Sequence, residues 1–346
     1  MTRRHSLGAP ARRPRQSGAA LLVAMVLVTV VTTLAAGMVW QQWRAVEVEA
    51  AERARTQSAW ILNGALDWAR LILREDARTS KVDHLGEPWS VPLAEARLST
   101  FLAAERSTNA DDGPEAFLSG DITDAQSRFN LRNLVTQATT SLGSGTTTST
   151  PFVPDKDQVA VLQRLLGTAL VSPTLALQIA SQLALVLNND PQALLWPQSF
   201  DQLGWLGLDE AARAKLAPWV TLLPQPTKVN VNTAPREVLA AVIPTNGMGA
   251  AQVLVQQREH RPYEQSTLGT AVSQALGPTA TPVQTNWLTN ALSVESNYFE
   301  VRGRLRLGDQ VLVERSLVER NGTGPNNLPV LRRERINVTA DPAALR

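Results

Sequence analysis

The 346-residue chain has no cysteine, only three histidines and only two tyrosines. Without cysteine there is no disulfide, no thiolate metal site and no cysteine nucleophile. The histidines, His5, His84 and His260, lie far apart in sequence, and no HExxH, GxSxG or Walker-type loop is present. No motif points to an enzyme, so a non-catalytic protein is expected. Acid is also missing from the start of the chain: the first acidic residue is Glu47, whereas Arg3, Arg4, Arg12, Arg13 and Arg15 precede it. Without those five arginines, 28 basic residues stand against 31 acidic ones, although the whole chain carries a formal +2 and a pI near 9.3. The basic character belongs to the leader and is poor evidence for a nucleic-acid partner.

The last of these arginines opens the stretch "RQSGAALLVAMVLVTVVTTLAAGMVW", residues 15–40. Residues 19–43 carry no charge, and about 20 such residues cross a bilayer core. A secretory signal has an apolar region of only about 7–15 residues, followed by a small-residue cleavage site. Here the run continues without a turn residue into "QQWRAVEVEAAERARTQSAWILNGALDWARLIL". Residues 19 to about 76 are expected to form one helix of roughly 85 Å. Its first half is apolar all round. Its second half is amphipathic, with Ile61, Ala65, Trp68 and Ile72 on one stripe and Glu49–Arg53 as an i,i+4 pair. The leading arginines place the N-terminus in the cytoplasm and the rest beyond the inner membrane. Trp40 and Trp43 fall where an interfacial aromatic belt is expected. Trp60 and Trp68 are left either to pack on a sheet or to contact a partner helix.

Beyond the helix, residues 77–110 read as loop and short helix. Phe117, Ile122, Phe129 and Leu131 have strand-like surroundings, with "SRFNLRNL" alternating apolar and polar residues. "TQATTSLGSGTTTST" is a polar linker. From 156 to 290 the period becomes helical, with a break and restart at Ser172–Pro173. "SNYFEVRGRLRLGDQVLVERSLVER" alternates again, with a turn at Gly308–Asp309, and "LPVLRRERINV" offers another strand. The expected fold is therefore α+β, with a helical block inserted between two parts of one sheet.

Within the block, residues 228–268 have the outline of a helix–hairpin–helix. Asn232 or Thr233 is placed to cap a helix with Pro235 in its first turn, Val238, Leu239 and Val242 face inward, and Gly247 and Gly249 make the hairpin. DNA-binding hairpins present backbone N–H groups to a phosphate within a basic surround. Residues 156–290 hold eight basic and eight acidic residues, so a packing role is expected and nucleic acid is not. A membrane-anchored periplasmic DNA-binding protein remains the alternative class, followed by an anchored periplasmic enzyme.

The basic leader ending in Gly18, then a small residue and an unbroken apolar helix, resembles the class III signal of type IV prepilins and pseudopilins. That resemblance implies cleavage between Gly18 and Ala19, methylation of the new N-terminus at Ala19, and retention of the helix. Most members of that family carry glutamate at the fifth mature position, where this chain has Val23. A buried carboxylate in lipid is costly unless paired, and its absence suits a subunit with none above it. With "DITDAQSRFNLRNL", "VNVNTAPREVLAAVIP" and "NYFEVRGRLRL" in order, nearly the whole chain resembles the K-type minor pseudopilin of the type II secretion system (general secretion pathway protein K family).

The resemblance implies a type IV pilin-like long N-terminal helix and antiparallel sheet, with a large inserted SAM/helix-hairpin-helix-like domain. The implied division is leader 1–18, transmembrane half-helix 19–43, amphipathic helix and first sheet part 44–135, linker 136–155, α-helical insert 156–290 and closing strands 291–346. The implied partners are the I-type and J-type minor pseudopilins, the major pseudopilin and the prepilin peptidase. The implied role is capping the pseudopilus tip and helping to start its assembly. Some members bind calcium, and Asp111, Asp112, Glu115, Asp121 and Asp124 are the candidate ligands here, although no EF-hand-like loop surrounds them. A solvated acidic loop is the other reading of that cluster. Arg128, Asn130 and Asn133 read as polar groups that bond within a strand and its following turn.

Overall fold

Helix α1 (Ser17–Thr79) changes character along its length, as the sequence requires. The computed structural model describes residues 17–98, 116–138, 151–244, 246–278, 281–307, 310–321 and 328–339. The chain divides into two units after Trp60. In the first unit the apolar part of α1 exposes Leu22, Val26, Val30 and Leu34 alike. The hydroxyls of Thr29, Thr32 and Thr33 donate to carbonyls one turn back at 2.8–3.0 Å, which satisfies them without water. Glu49 and Arg53 do pair, at 2.5 Å, but both are exposed, so the contact adds little stability.

In the second unit, the last turns of α1 pack on an antiparallel sheet. Its strands are β1 (Leu93–Arg97), β2 (Ala116–Asp124), β9 (Tyr298–Leu307), β10 (Gln310–Glu319) and β11 (Val330–Thr339), in that spatial order. Alternation along β9 sends Phe299, Val301 and Leu305 inward, while Arg302, Arg304 and Arg306 face away. The helix buries Leu62, Leu66, Ala69 and Leu73 against them. This stripe is one position off the expected one: Trp68 is exposed, and Ile61, Ala65 and Ile72 flank the contact. Each fully buried leucine contributes roughly 1.5–3 kcal/mol. Trp89, in the loop after α1, meets Phe299 edge to face at 5.3 Å. Gly303 lies under the helix, where a Cβ would stand 3.2 Å from Leu62 Cδ2.

Neighbouring strands β2 and β9 are separated in sequence by the helical block, so the sheet is completed from both sides of it. The block comprises α2 (Lys156–Thr168), α3 (Leu175–Leu187), α4 (Glu210–Leu216), α5 (Arg236–Val242), α6 (Gly247–His260), α7 (Gln265–Leu276) and α8 (Pro282–Ala291). Asp155 caps α2 by accepting from Asp157 N and Gln158 N at 3.0 Å. Short pairs complete it: β3 (Phe129–Asn130) with β6 (Val220–Thr221), β4 (Val135–Gln137) with β5 (Phe152–Pro154), and β7 (Val229–Asn230) with β8 (Leu292–Ser293).

The helical core begins before residue 156. Phe129, Leu131, Leu134 and Val135 are buried in it beside Leu162, Leu165 and Leu183, so these residues pack with the insert and not with the sheet. The alternation of "SRFNLRNL" yields a strand of only two residues, because the Asn130 side chain accepts from Arg132 N and turns the chain into a 3-10 helix. Strand β1, within the expected loop-and-helix region, is a further difference. The turn at 308–309 and linker residues 139–150 lie outside the described residues.

Candidate functional site

Gly18 and Ala19 fall in the first turn of α1, and Val23 is 59% exposed on it. The segment after them is long and apolar enough to cross a membrane. Trp40 and Trp43 are exposed at its far end, where the Arg44 guanidinium lies 4.8 Å from the Trp40 ring. No acidic residue enters the helix before Glu47.

The second feature is a buried polar hub where sheet, insert and the end of α1 meet. Asp124 closes β2. Its Oδ1 accepts from Gln126 N at 2.7 Å, and its Oδ2 accepts from Thr233 Oγ1 at 2.5 Å, Ser296 Oγ at 2.6 Å and Asn230 Nδ2 at 3.1 Å. Asp83 accepts from Ser296 N at 2.7 Å and from Arg320 Nη2 at 2.6 Å, and Asp76 accepts from Arg320 Nη1 at 2.7 Å. Glu87 accepts from the Trp89 indole at 2.8 Å and from His84 N at 2.9 Å. Burial pushes the Asp76 carboxyl up to about 7, helped by the Glu87 and Asp83 carboxylates and opposed by Arg320. Burial pushes Asp124 up to about 6, against the hydroxyls of Ser296 and Thr233. Glu87 is also raised, chiefly by burial. Oxygens of Asp76, Asp83 and Glu87 come within 4.8 Å of one another, and the Arg320 guanidinium pairs with the first two.

Of the candidate calcium ligands the structure describes only Asp121 and Asp124, and it does not bring these two together. Asp111, Asp112 and Glu115 lie outside the described residues. Asp121 and Asp124 are three apart on one strand and therefore face opposite sides of the sheet. Asp121 stands 3.5 Å from Arg302, and both oxygens of Asp124 are occupied by hydrogen bonds. Arg128, Asn130 and Asn133 reach further than one strand and its turn. Arg128 pairs with Glu300 at 2.5 Å. Burial disfavours the Glu300 carboxylate, but Arg128, Arg315 and Arg332 together outweigh it and hold its pKa below the usual range. Asn130 binds Leu223 N and Gln225 O, and Asn133 binds Thr227 N and O. These two amides replace a missing strand ladder.

The helical hairpin α5–α6 is present, but its expected caps have other partners. Thr233 binds Asp124, and Asn232 exchanges two hydrogen bonds with the Tyr263 backbone at 2.8 and 3.0 Å. Pro235 occupies the N-cap position of α5 with no side-chain cap. Val238, Leu239 and Val242 face inward as expected. At the bend, a Cβ on Gly247 would overlap the Ala240 carbonyl oxygen, so only glycine fits there. The hairpin's cations are engaged within the chain: Arg258 donates to Val231 O and Ala234 O, Arg236 pairs with Glu237, and Arg261 pairs with Glu264. This arrangement offers little to a phosphate backbone.

The architecture is α+β: a long N-terminal helix, long and apolar enough at its start to cross a membrane, packs its last turns on an antiparallel sheet that carries a helical insert. The family described as "Type II secretion system (T2SS), protein K" matches residues 229–295, which span the hairpin and reach the hub. The chain is 28% identical over 340 residues to the type II secretion system protein K of Pseudomonas aeruginosa, covering 90% of this chain and 91% of that one. It is 27% identical to that of Klebsiella pneumoniae, covering 89% and 94%. Its fold is similar to a chain in the crystal structure of the GspK-GspI-GspJ complex of enterotoxigenic Escherichia coli. The TM-score is 0.63 at 21% identity, covering 83% of this chain and 99% of that chain. Over 89–90% of its length the chain is similar to the type II secretion system protein K of these two bacteria.

Proposed function

We propose that the chain is a minor pseudopilin that caps the pseudopilus tip and helps to start its assembly, without catalysis of its own. In this reading a prepilin peptidase cuts between Gly18 and Ala19 and methylates Ala19. The retained helix then holds the subunit in the inner membrane, with its N-terminus in the cytoplasm and its later domains in the periplasm. Its partners are the I-type and J-type minor pseudopilins, as in the similar complex, and the major pseudopilin. The observation that carries the reading is an apolar helix with no acid before Glu47, joined to a fold similar to that of a chain in the GspK-GspI-GspJ complex. With Val23 in place of a glutamate, the subunit lacks the group that would join an N-terminal amine above it. Small residues such as Ala35, Ala36 and Gly37 permit close helix packing in lipid.

N-terminal mass spectrometry of the protein from secreting cells tests this reading. The expected mature chain starts at N-methyl-Ala19, and replacing Gly18 by a bulky residue leaves the leader in place. An intact leader on the wild-type chain would sink the processing step. Failure to co-purify with I-type and J-type subunits would sink the tip assignment.

A further inference from the structure

The hub holds four buried carboxylates, Asp76, Asp83, Glu87 and Asp124, and one buried guanidinium, Arg320. Among the described residues, no other cation hydrogen-bonds to any of the four. Fully ionised, the group would carry three uncompensated negative charges away from water, which is strongly unfavourable. Two outcomes relieve such an excess: the joint opens to solvent, or the carboxylates take up protons.

The joint links separate parts of the chain. Asp76 belongs to α1, Asp83 and Glu87 to the loop after it, Asp124 to the end of β2, and Arg320 comes just after β10. The neutral donors Asn230 and Thr233 come from the insert, and Ser296 from the segment returning to the sheet. Thr233 and Ser296 are hydroxyls, and a hydroxyl both donates and accepts. Either can therefore turn to receive a proton carried by Asp124, so the hub is hydrogen-bonded in both protonation states.

We propose that the joint between the inserted domain and the sheet is a proton-linked latch that tightens as its surroundings acidify. The carboxyls set the direction. Asp76 is raised to about 7 and Asp124 to about 6, both from an ordinary 3.8. A raised acid binds its proton more tightly in the closed joint than in the open one. Its stabilisation is complete below the ordinary value and is lost as pH rises through about 6 to 7. The latch is weakest in mildly alkaline surroundings. It depends on the hub alone and is independent of the place of the subunit in the fibre.

The experiment uses full-length protein in detergent micelles with a metal chelator. The Lys228 side chain is exposed, but its carbonyl accepts from Gln126 Nε2 at 3.1 Å and the next residue enters the β7–β8 pair, so the peptide bond is released to trypsin when the joint opens. Cleavage after Lys228 is normalised to that of an unstructured peptide of the same local sequence. Between about pH 6 and about pH 8 the normalised rate is expected to rise about tenfold. Cleavage after Lys215, in α4 away from the hub, is expected to change less than about twofold. Asp76→Asn should remove most of the rise and Asp124→Asn part of it. Should the variants fail to fold, infrared spectra of the wild type supply the same answer. A buried protonated-carboxyl band should grow as pH falls through about 7. A flat or inverted pH profile, an equal rise at Lys215, or no such band would overturn the latch.

Discussion

Arg320 and Asp83 meet in the hub, where Nη2 lies 2.6 Å from both carboxylate oxygens of Asp83. The same nitrogen donates to Ser296 O at 2.8 Å, and the guanidinium lies over the Phe299 ring at 4.7 Å. A buried pair is weak evidence of net stabilisation, but removing one partner strands the other. Arg320→Met keeps similar bulk and leaves Asp76 and Asp83 without a cation. We expect a loss of about 3–5 kcal/mol, measured by urea unfolding at neutral pH. A loss below about 1 kcal/mol would show that the guanidinium does not compensate buried charge in the hub.

Asn232 joins the start of the helical hairpin to the segment after α6. Its amide mimics a backbone pair by accepting from Tyr263 N and donating to Tyr263 O, and the residue is buried. Asn232→Ala leaves both backbone groups unpaired. The expected destabilisation is about 1–3 kcal/mol. Hydrogen exchange should locate it, with the Tyr263 amide losing protection before those of β9. Unchanged exchange at Tyr263 would contradict this role.

Much of this architecture is legible in sequence. The apolar half of α1, the break at Ser172–Pro173 and the hairpin β9–β10 can be read from period and composition, because each depends on neighbours close in the chain. The hub cannot. Asp76, Asp83, Asp124, Asn230, Ser296 and Arg320 are scattered over the chain, and only the sheet and insert bring them together. Asp124 is instructive: its sequence neighbours are acidic, which suggests a shared cation, but strand alternation turns it away from Asp121. The buried stripe of α1 lies one position from the one that periodicity suggests, because Trp68 is large and apolar, yet faces away from the sheet. Periodicity gives the face of a helix to within about one residue, and tertiary contact decides the rest.

Gly303 sets how closely α1 approaches the sheet. A methyl group there would sit 3.2 Å from Leu62 Cδ2, so a shift of a few tenths of an ångström accommodates it. Gly303→Ala is expected to change stability by less than about 1 kcal/mol, since alanine also restricts the unfolded chain. Gly303→Leu must displace Leu62 and is expected to lose about 1–3 kcal/mol. Thermal unfolding of the two variants side by side checks this. Equal effects would show that the helix is not seated on this strand.

In the proposed tip role, Val23 marks a subunit that joins none above it. Val23→Glu places a carboxylate in an apolar run that has no lysine or arginine side chain between residues 19 and 43 to pair with it. Such a group costs on the order of 2–3 kcal/mol in the bilayer core, and less near an interface. Cleavage after Gly18 should persist, since the change lies beyond the cut. Assembly should suffer, because the new acid faces no amine above it. We expect normal N-terminal processing by mass spectrometry, together with at least a several-fold fall in exported protein in the culture medium. If export stays at the wild-type level, the absence of an acid at this position carries no functional weight.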